Sequence, residues 1–247
     1  MELTRDAFLG GRLNLWQPRD GYRAGVDPVL LAAACEARAG QSVLELGCGM
    51  GTAILCLGAR VPDIRRVGIE LQPGLAELAR RNADENQIPC TIHDGDLATM
   101  PPDLQAESFD HVIANPPYFL RTAGDPAENA SRETALGETT PLAVWIDAAR
   151  RRLKAKGYLT LIHRPDRMVE LCNCLAGFGD VRIRPIAPRV DRDASLILIR
   201  ARKGAKAQSR LLAPIIMHDG ANHVSDSDDY SETARQILRE GKSLPAF

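Results

Sequence analysis

The chain is short of several features that would each commit it to a class. Its six cysteines, at positions 35, 48, 56, 90, 172 and 174, include no Cys-x-x-Cys and no paired histidine spacing, so neither a metal site nor a disulfide framework is expected. Neither sign of charge is in excess: a formal net charge of −1 argues against a protein that coats nucleic acid indiscriminately, while leaving room for a local basic face. The N-terminus has no long apolar segment and mixes Glu2, Arg5, Asp6 and Arg12. A signal peptide and a membrane span are therefore not expected, and reduced thiols fit the cytoplasm. There is no internal repeat and no low-complexity tract. At 247 residues, 45% apolar and 26% charged, the chain suits one compact domain, favoured as a monomer. Residues 1–40 read as a lead-in or lid, 41–202 as a core and 203–247 as a C-terminal extension.

What is present alternates. Short apolar runs near 42–47, 67–70, 90–93, 109–114, 157–163, 181–187 and 195–202 read as strands, and helical patterns fall near 28–37, 52–60, 73–86, 141–153, 166–176 and 231–239. Strands separated by helices imply a mostly parallel sheet covered on both faces. The last two runs are joined by Ala187 to Ala194 without a helix, which favours an antiparallel pair.

The ends of four successive strands carry the chemistry. After Ser42-Val43-Leu44-Glu45-Leu46 come Gly47, Gly49 and Gly51, a tight turn that lets a ligand lie against the main chain before the helix begins. Thr52 stands where the dinucleotide fingerprint wants a glycine, and no Lys follows as in a P-loop, so phosphate binding is disfavoured. Glu70 ends the second strand, about twenty positions on, where a carboxylate grips ribose hydroxyls in this class of sheet. Asp96, after the third strand, is placed to accept from an adenine amino group.

The fourth strand runs into Asn115-Pro116-Pro117-Tyr118. Two prolines remove two backbone donors and hold the chain extended. The turn then presents an amide oxygen, a neighbouring carbonyl and an aromatic ring, the fittings for a planar NH2 group. An ordinary proline turn with a packed tyrosine is the alternative for these four residues alone.

Together, Glu45, the glycine turn, Glu70, Asp96 and Asn115-Pro-Pro-Tyr118 resemble the class I S-adenosylmethionine-dependent methyltransferases, and in particular the branch that methylates amino groups of adenine or glutamine. The fold this implies is α/β and Rossmann-like, a seven-stranded mostly parallel sheet with a C-terminal antiparallel hairpin. The resemblance implies S-adenosyl-L-methionine as cofactor, with Glu45 near the methionine amine, Gly47, Gly49 and Gly51 against its backbone, Glu70 on the ribose, Asp96 on the adenine and Asn115 at the transferred methyl. It makes Asn115, Pro116 and Tyr118 the catalytic set.

Two flanking segments bear on the substrate. Gln17-Pro18 with Gly21-Tyr22-Arg23-Ala24-Gly25-Val26-Asp27 is too Gly- and Pro-punctuated for one helix and reads as a hairpin or lid, with Asp27 capping the helix that Pro28 begins. In combination with the cofactor turn it resembles the lead-in of bacterial tRNA1(Val) adenine-N6 methyltransferases, a resemblance running from about Phe8 to residue 239. That resemblance implies a tRNA partner, with an adenine in the anticodon loop of a valine tRNA as acceptor. Arg23, Arg200, Arg202, Lys203 and Lys206 are candidate RNA contacts, and a solvated charged face is the other reading of the late run. The polar stretch Phe119 to Thr140 is a candidate substrate gate. A glutamine N5-methyltransferase acting on a release factor and a guanine-N2 methyltransferase acting on ribosomal RNA remain the alternatives.

Overall fold

The computed structural model describes residues 2–120, 137–138, 140–220, 229–245 and 247. The lead-in folds as an antiparallel hairpin of β1 (Leu3–Phe8) and β2 (Leu13–Pro18). Then α1 (Asp27–Ala34) precedes the alternating core: β3 (Ser42–Leu46), α2 (Thr52–Arg60), β4 (Arg65–Glu70), α3 (Pro73–Glu85), β5 (Thr91–Asp94), α4 (Pro102–Gln105) and β6 (Phe109–Ala114). Next come β7 (Phe119–Leu120), β8 (Gly137–Glu138), α5 (Leu142–Arg152), β9 (Leu153–His163) and α6 (Met168–Cys174). The chain closes with β10 (Phe178–Ala187), β11 (Leu196–Lys203), β12 (Arg210–Leu211), β13 (Ile215–Ile216) and α7 (Glu232–Leu238).

One sheet organises these elements, in the order β12-β10-β11-β9-β6-β3-β4-β5, with β13 also pairing β10. From β5 to β9 all pairs are parallel, whereas β9–β11 and β11–β10 are antiparallel. The expected Rossmann-like α/β architecture is present. Among the described residues it has nine strands in place of seven, because β12 and β13 each add two residues beside β10. The helix expected near 141–153 stops at Arg152, where Leu153 pairs at once with Phe109 to open β9. One further expectation needs correction: Asp27 is not the cap residue of α1, a place taken by Val26, whose side chain makes no capping bond.

Alternation on the strands explains the two layers. Val43, Ile113, Ile162 and Leu198 point to the side covered by α1 and α2, while Leu44, Val112, Leu161 and Ile199 point to the side covered by α5. Both faces being buried, β3 is buried at all five positions, Glu45 included. Helix α1 is buried from Pro28 through Ala34, which accounts for a stretch with no polar face.

The hairpin is fastened to the core by amide side chains. Asn82 of α3, fully buried, accepts from the Trp16 N–H at 2.8 Å and donates to the carbonyls of Trp16 at 3.1 Å and Met50 at 3.0 Å. One residue thereby joins the lead-in to the glycine turn. Trp16 lies 4.3 Å under the Arg81 guanidinium and donates to Glu85 at 2.8 Å. The candidate gate falls mostly outside the described residues, including Arg121, Asp125, Glu128, Asn129, Arg132 and Glu133.

Candidate active site

Register decides what meets at the edge of the sheet. Leu46 pairs with both Ile69 and Ala114, so the residues that follow them, Gly47, Glu70 and Asn115, emerge side by side. Beside that row lies a cavity walled by Tyr22, Asp27, Glu45, Thr52, Trp145 and the turn Asn115 to Tyr118, among others. Gly47 and Gly49 line it, while Gly51, Glu70 and Asp96 stand outside its walls.

The glycines have separate reasons. Gly47 has φ +61°, and a Cβ there would stand 2.5 Å from Cη2 of Trp145. Gly49, at φ +54°, has open space where its Cβ would be, facing the cavity, and its N–H donates to Glu70 Oε2 at 2.9 Å. Gly51, at φ +86°, is the cap residue of α2. The other oxygen of Glu70 accepts from the Gln72 N–H at 2.9 Å. A carboxylate offers about four lone-pair sites, so Glu70 keeps acceptor capacity for a hydroxyl donor. Burial pushes the Glu70 carboxyl above its ordinary range, partly offset by those amides. Burial also pushes Glu45 well above that range, against a bond from the Ile54 N–H at 2.9 Å, with the Glu70 charge adding to the rise. A cationic ligand would relieve both. Asp96 is turned into its own loop, where Oδ1 accepts from the Ala98 N–H at 2.8 Å.

At the acceptor side, Asn115 Oδ1 is buried and has no hydrogen-bond partner. A buried amide oxygen left unpaired costs about 1–3 kcal/mol, so its retention at a cavity wall calls for a donor from outside the chain. Tyr118 is fixed by two neighbours: its hydroxyl donates to Asp27 Oδ2 at 2.7 Å, and the His163 ring meets it edge-on at 5.1 Å. Thr52 Oγ1, in the first turn of α2, is a second buried polar atom of the cavity without a partner.

Sequence reasoning used Thr52 only to set aside the dinucleotide fingerprint, gave Trp145 and His163 no place in the site, and read Tyr22 and Asp27 as parts of the lead-in, Asp27 as a helix cap. The signal for the last two was present, since they sit in the segment that carries the resemblance. Trp145 and His163 have no local signature.

Of the basic candidates, Arg23, Arg200, Arg202 and Lys203 make contacts within the fold. In β11, Ile197 pairs with His163 while Arg202 pairs with Tyr158, which in turn lies opposite His111. The late residues of this antiparallel strand therefore run away from Asn115: Arg200 pairs with Thr160, level with Ile113, and Arg202 with Tyr158, level with His111, Lys203 and Lys206 following it in the chain. Arg200 is buried, paired with Glu36 and laid over Tyr158 at 4.9 Å and Phe247 at 5.4 Å. Arg202 donates to the Lys156 carbonyl at 3.1 Å and Lys203 to that of Leu153 at 2.6 Å. Arg23 is spent within the lead-in on Thr4 at 2.7 Å, the Pro18 carbonyl at 3.0 Å and Asp6 at 2.6 Å. Arg200 is thus a clamp between Glu36, Tyr158 and Phe247. Arg200→Ala should lower stability in urea unfolding by about 1–3 kcal/mol, through lost packing as well as lost charge; a change below 0.5 kcal/mol, the usual range for surface substitutions, would remove that role.

Among the described residues, no helix is long and apolar enough to cross a membrane, and no three His, Cys, Asp or Glu side chains are grouped to hold a metal.

Comparison with known proteins bears on this geometry. The family described as "Methyltransferase domain" matches residues 43–133, from β3 past the acceptor turn. A protein of Porphyromonas gingivalis named tRNA1(Val) (adenine(37)-N6)-methyltransferase is 35% identical over 179 residues, 68% of this chain and 69% of its own length. A protein of the same name from Aeromonas hydrophila is 27% identical, with 84% of this chain and 87% of the relative covered. Among solved structures, a predicted O-methyltransferase from Agrobacterium tumefaciens superposes with a TM-score of 0.71 at 26% identity, covering 90% of this chain and 99% of that one.

Proposed function

This chain belongs to the family of tRNA1(Val) (adenine(37)-N6)-methyltransferases, and from that premise we propose that it methylates the exocyclic N6 of an adenine in the anticodon loop of a valine tRNA, using S-adenosylmethionine. The observation that carries this reading is the unpaired Asn115 Oδ1, buried at the cavity wall beside the Tyr118 ring.

The cavity suits the cofactor. Glu45 supplies a carboxylate for its ammonium, the unpartnered Thr52 hydroxyl a donor for its carboxylate, and the open face of Gly49, beside Gly47, a surface for its chain. Glu70 keeps acceptor capacity for the ribose hydroxyls, and Asp96 remains the proposed partner of the adenine. Bound there, S-adenosylmethionine would supply a sulfonium methyl for direct in-line transfer to an amine nitrogen, the thioether leaving as the N–C bond forms, with no covalent enzyme intermediate.

The enzyme's own task concerns the nitrogen. The lone pair of an adenine N6 is delocalised into its ring and is a poor nucleophile. Asn115 Oδ1 and the Pro116 carbonyl accept its two hydrogens, favouring a pyramidal nitrogen whose lone pair faces the methyl. Tyr118 stacks on the base and holds its plane. Positioning and charge placement then account for most of the rate. A base inside a helix cannot enter such a cavity, so a loop adenine, already partly unstacked, is the economical substrate.

The test is to supply methyl-labelled S-adenosylmethionine with unmodified tRNA, ribosomal RNA and release factor in separate reactions, and to identify the labelled unit after digestion. N6-methyladenosine from tRNA is the expected product. Label confined to a glutamine of the protein substrate, or to guanine of ribosomal RNA, would overturn the proposal.

A further inference from the structure

Tyr118 is braced by residues that its own turn does not contain. Its hydroxyl reaches across the cavity to Asp27, 91 positions earlier in the chain, and its ring is met edge-on by His163 at the end of β9. The two contacts remove different freedoms. A hydroxyl bond anchors the far end of the ring's long axis, and the edge contact opposes rotation about that axis.

Asp27 is itself held from behind. It opens α1 immediately before Pro28, and the segment leading to it is tied down. Gln17 is buried and uses both ends of its amide, accepting from the Ala24 N–H at 2.8 Å and donating to Asp6 at 2.9 Å. Arg23 bonds Asp6 and the Pro18 carbonyl, closing the loop. The carboxylate that meets Tyr118 therefore stands on a fixed base.

We infer that Asp27 is a positioning residue for the acceptor turn: its carboxylate holds the Tyr118 hydroxyl so that the aromatic ring presents one fixed face to the amino-bearing plane beside Asn115. This rests on the site being an amino-methylating centre, as proposed above. Burial pushes Tyr118 above the ordinary phenol range, with the Asp27 charge adding to the rise, so its oxygen keeps the proton it donates. Burial likewise raises Asp27, against the hydrogen bond it accepts from Tyr118. The lead-in thereby acts on the acceptor as well as covering the cavity.

A double-mutant cycle tests this, reading kcat and cofactor Kd together. Asp27→Ala should lower kcat by about 10- to 100-fold, the scale of a misplaced reacting group, with cofactor Kd unchanged. Asp27→Asn, which keeps an acceptor oxygen, should restore most of the loss. Tyr118→Phe, which keeps the stacking ring and loses the hydroxyl, should match Asp27→Ala, and the double variant should lose no more than either single one. Losses that multiply in the double variant, an unchanged kcat in Asp27→Ala, or a cofactor Kd weakened in step with kcat would each overturn the inference, the last by making Asp27 a cofactor ligand. Should Asp27→Ala fail to unfold cooperatively, Asp27→Asn and Tyr118→Phe decide alone: near wild-type turnover in the first with loss in the second sustains the inference, and any other pairing overturns it. A wild-type enzyme that labels no tRNA defeats the proposed substrate instead, and the cycle is then run on whichever acceptor takes the label.

Discussion

Asn115→Ala is expected to lower turnover by about 10²–10³-fold, the usual result of removing one group preorganised for the transition state, while leaving cofactor affinity and folding stability where they are. The second half of that expectation is the sharper. Asn115 Oδ1 is buried and bonds to nothing in the folded chain, so truncation breaks no hydrogen bond and removes a desolvated polar atom. Stability should therefore stay level or rise slightly, a pattern that a merely structural asparagine does not give. Single-turnover label transfer and urea unfolding measured side by side decide it. Unchanged turnover would take Asn115 out of the reaction, and a matching loss of stability would make it a packing residue.

The second large effect is Gly47→Ala, which should unfold the protein more easily by about 2–4 kcal/mol, combining left-handed backbone strain with overpacking. The added carbon would meet the Trp145 ring at 2.5 Å and 2.9 Å. That indole has little room to retreat, being buried and donating to the Thr140 carbonyl at 3.2 Å. Cofactor binding should fall with stability, since Gly47 and Trp145 are neighbouring walls of one cavity. Gly49→Ala is the control. Its φ is also positive, but open space surrounds the new carbon, so it should cost about 1–2 kcal/mol of backbone strain while still obstructing the cofactor. Calorimetric binding and denaturant midpoints for the two variants separate collision with Trp145 from collision with ligand; equal stability losses would show that Trp145 moves aside.

Much of the fold is legible in the sequence because its strands are buried on both faces and bounded by Gly, Pro and Asp. Continuous apolar runs such as Val43-Leu44 and Val112-Ile113 then mark themselves, and so do their ends, where the site residues stand. Contacts set by tertiary approach are not legible. Nothing local to Tyr118 announces Asp27, and nothing local to Gly47 announces Trp145 on α5. The basic residues of β11 show a third kind of limit. Their charge is plain in the sequence, but charge says nothing of which end of the sheet it decorates. In a strand parallel to β6, late residues approach Asn115; in an antiparallel one they recede. The missing helix between residues 187 and 194 already implied the second case. Asp27 was misread for a related reason: an acidic residue before Pro28 satisfies the local rule for a helix cap, and a partner 91 residues away outbid the rule.

Asn82 joins the carbonyl of Met50, inside the glycine turn, to both backbone groups of Trp16 on the hairpin. The first twenty residues are therefore not a portable cap that can be exchanged between relatives at will. A graft must bring a strand whose backbone offers a donor and an acceptor to position 82, or else leave the carboxamide to reorient and take the glycine turn with it. Compatibility between a borrowed lead-in and a resident core is a question about one side chain on a third element, in neither of the two pieces being joined.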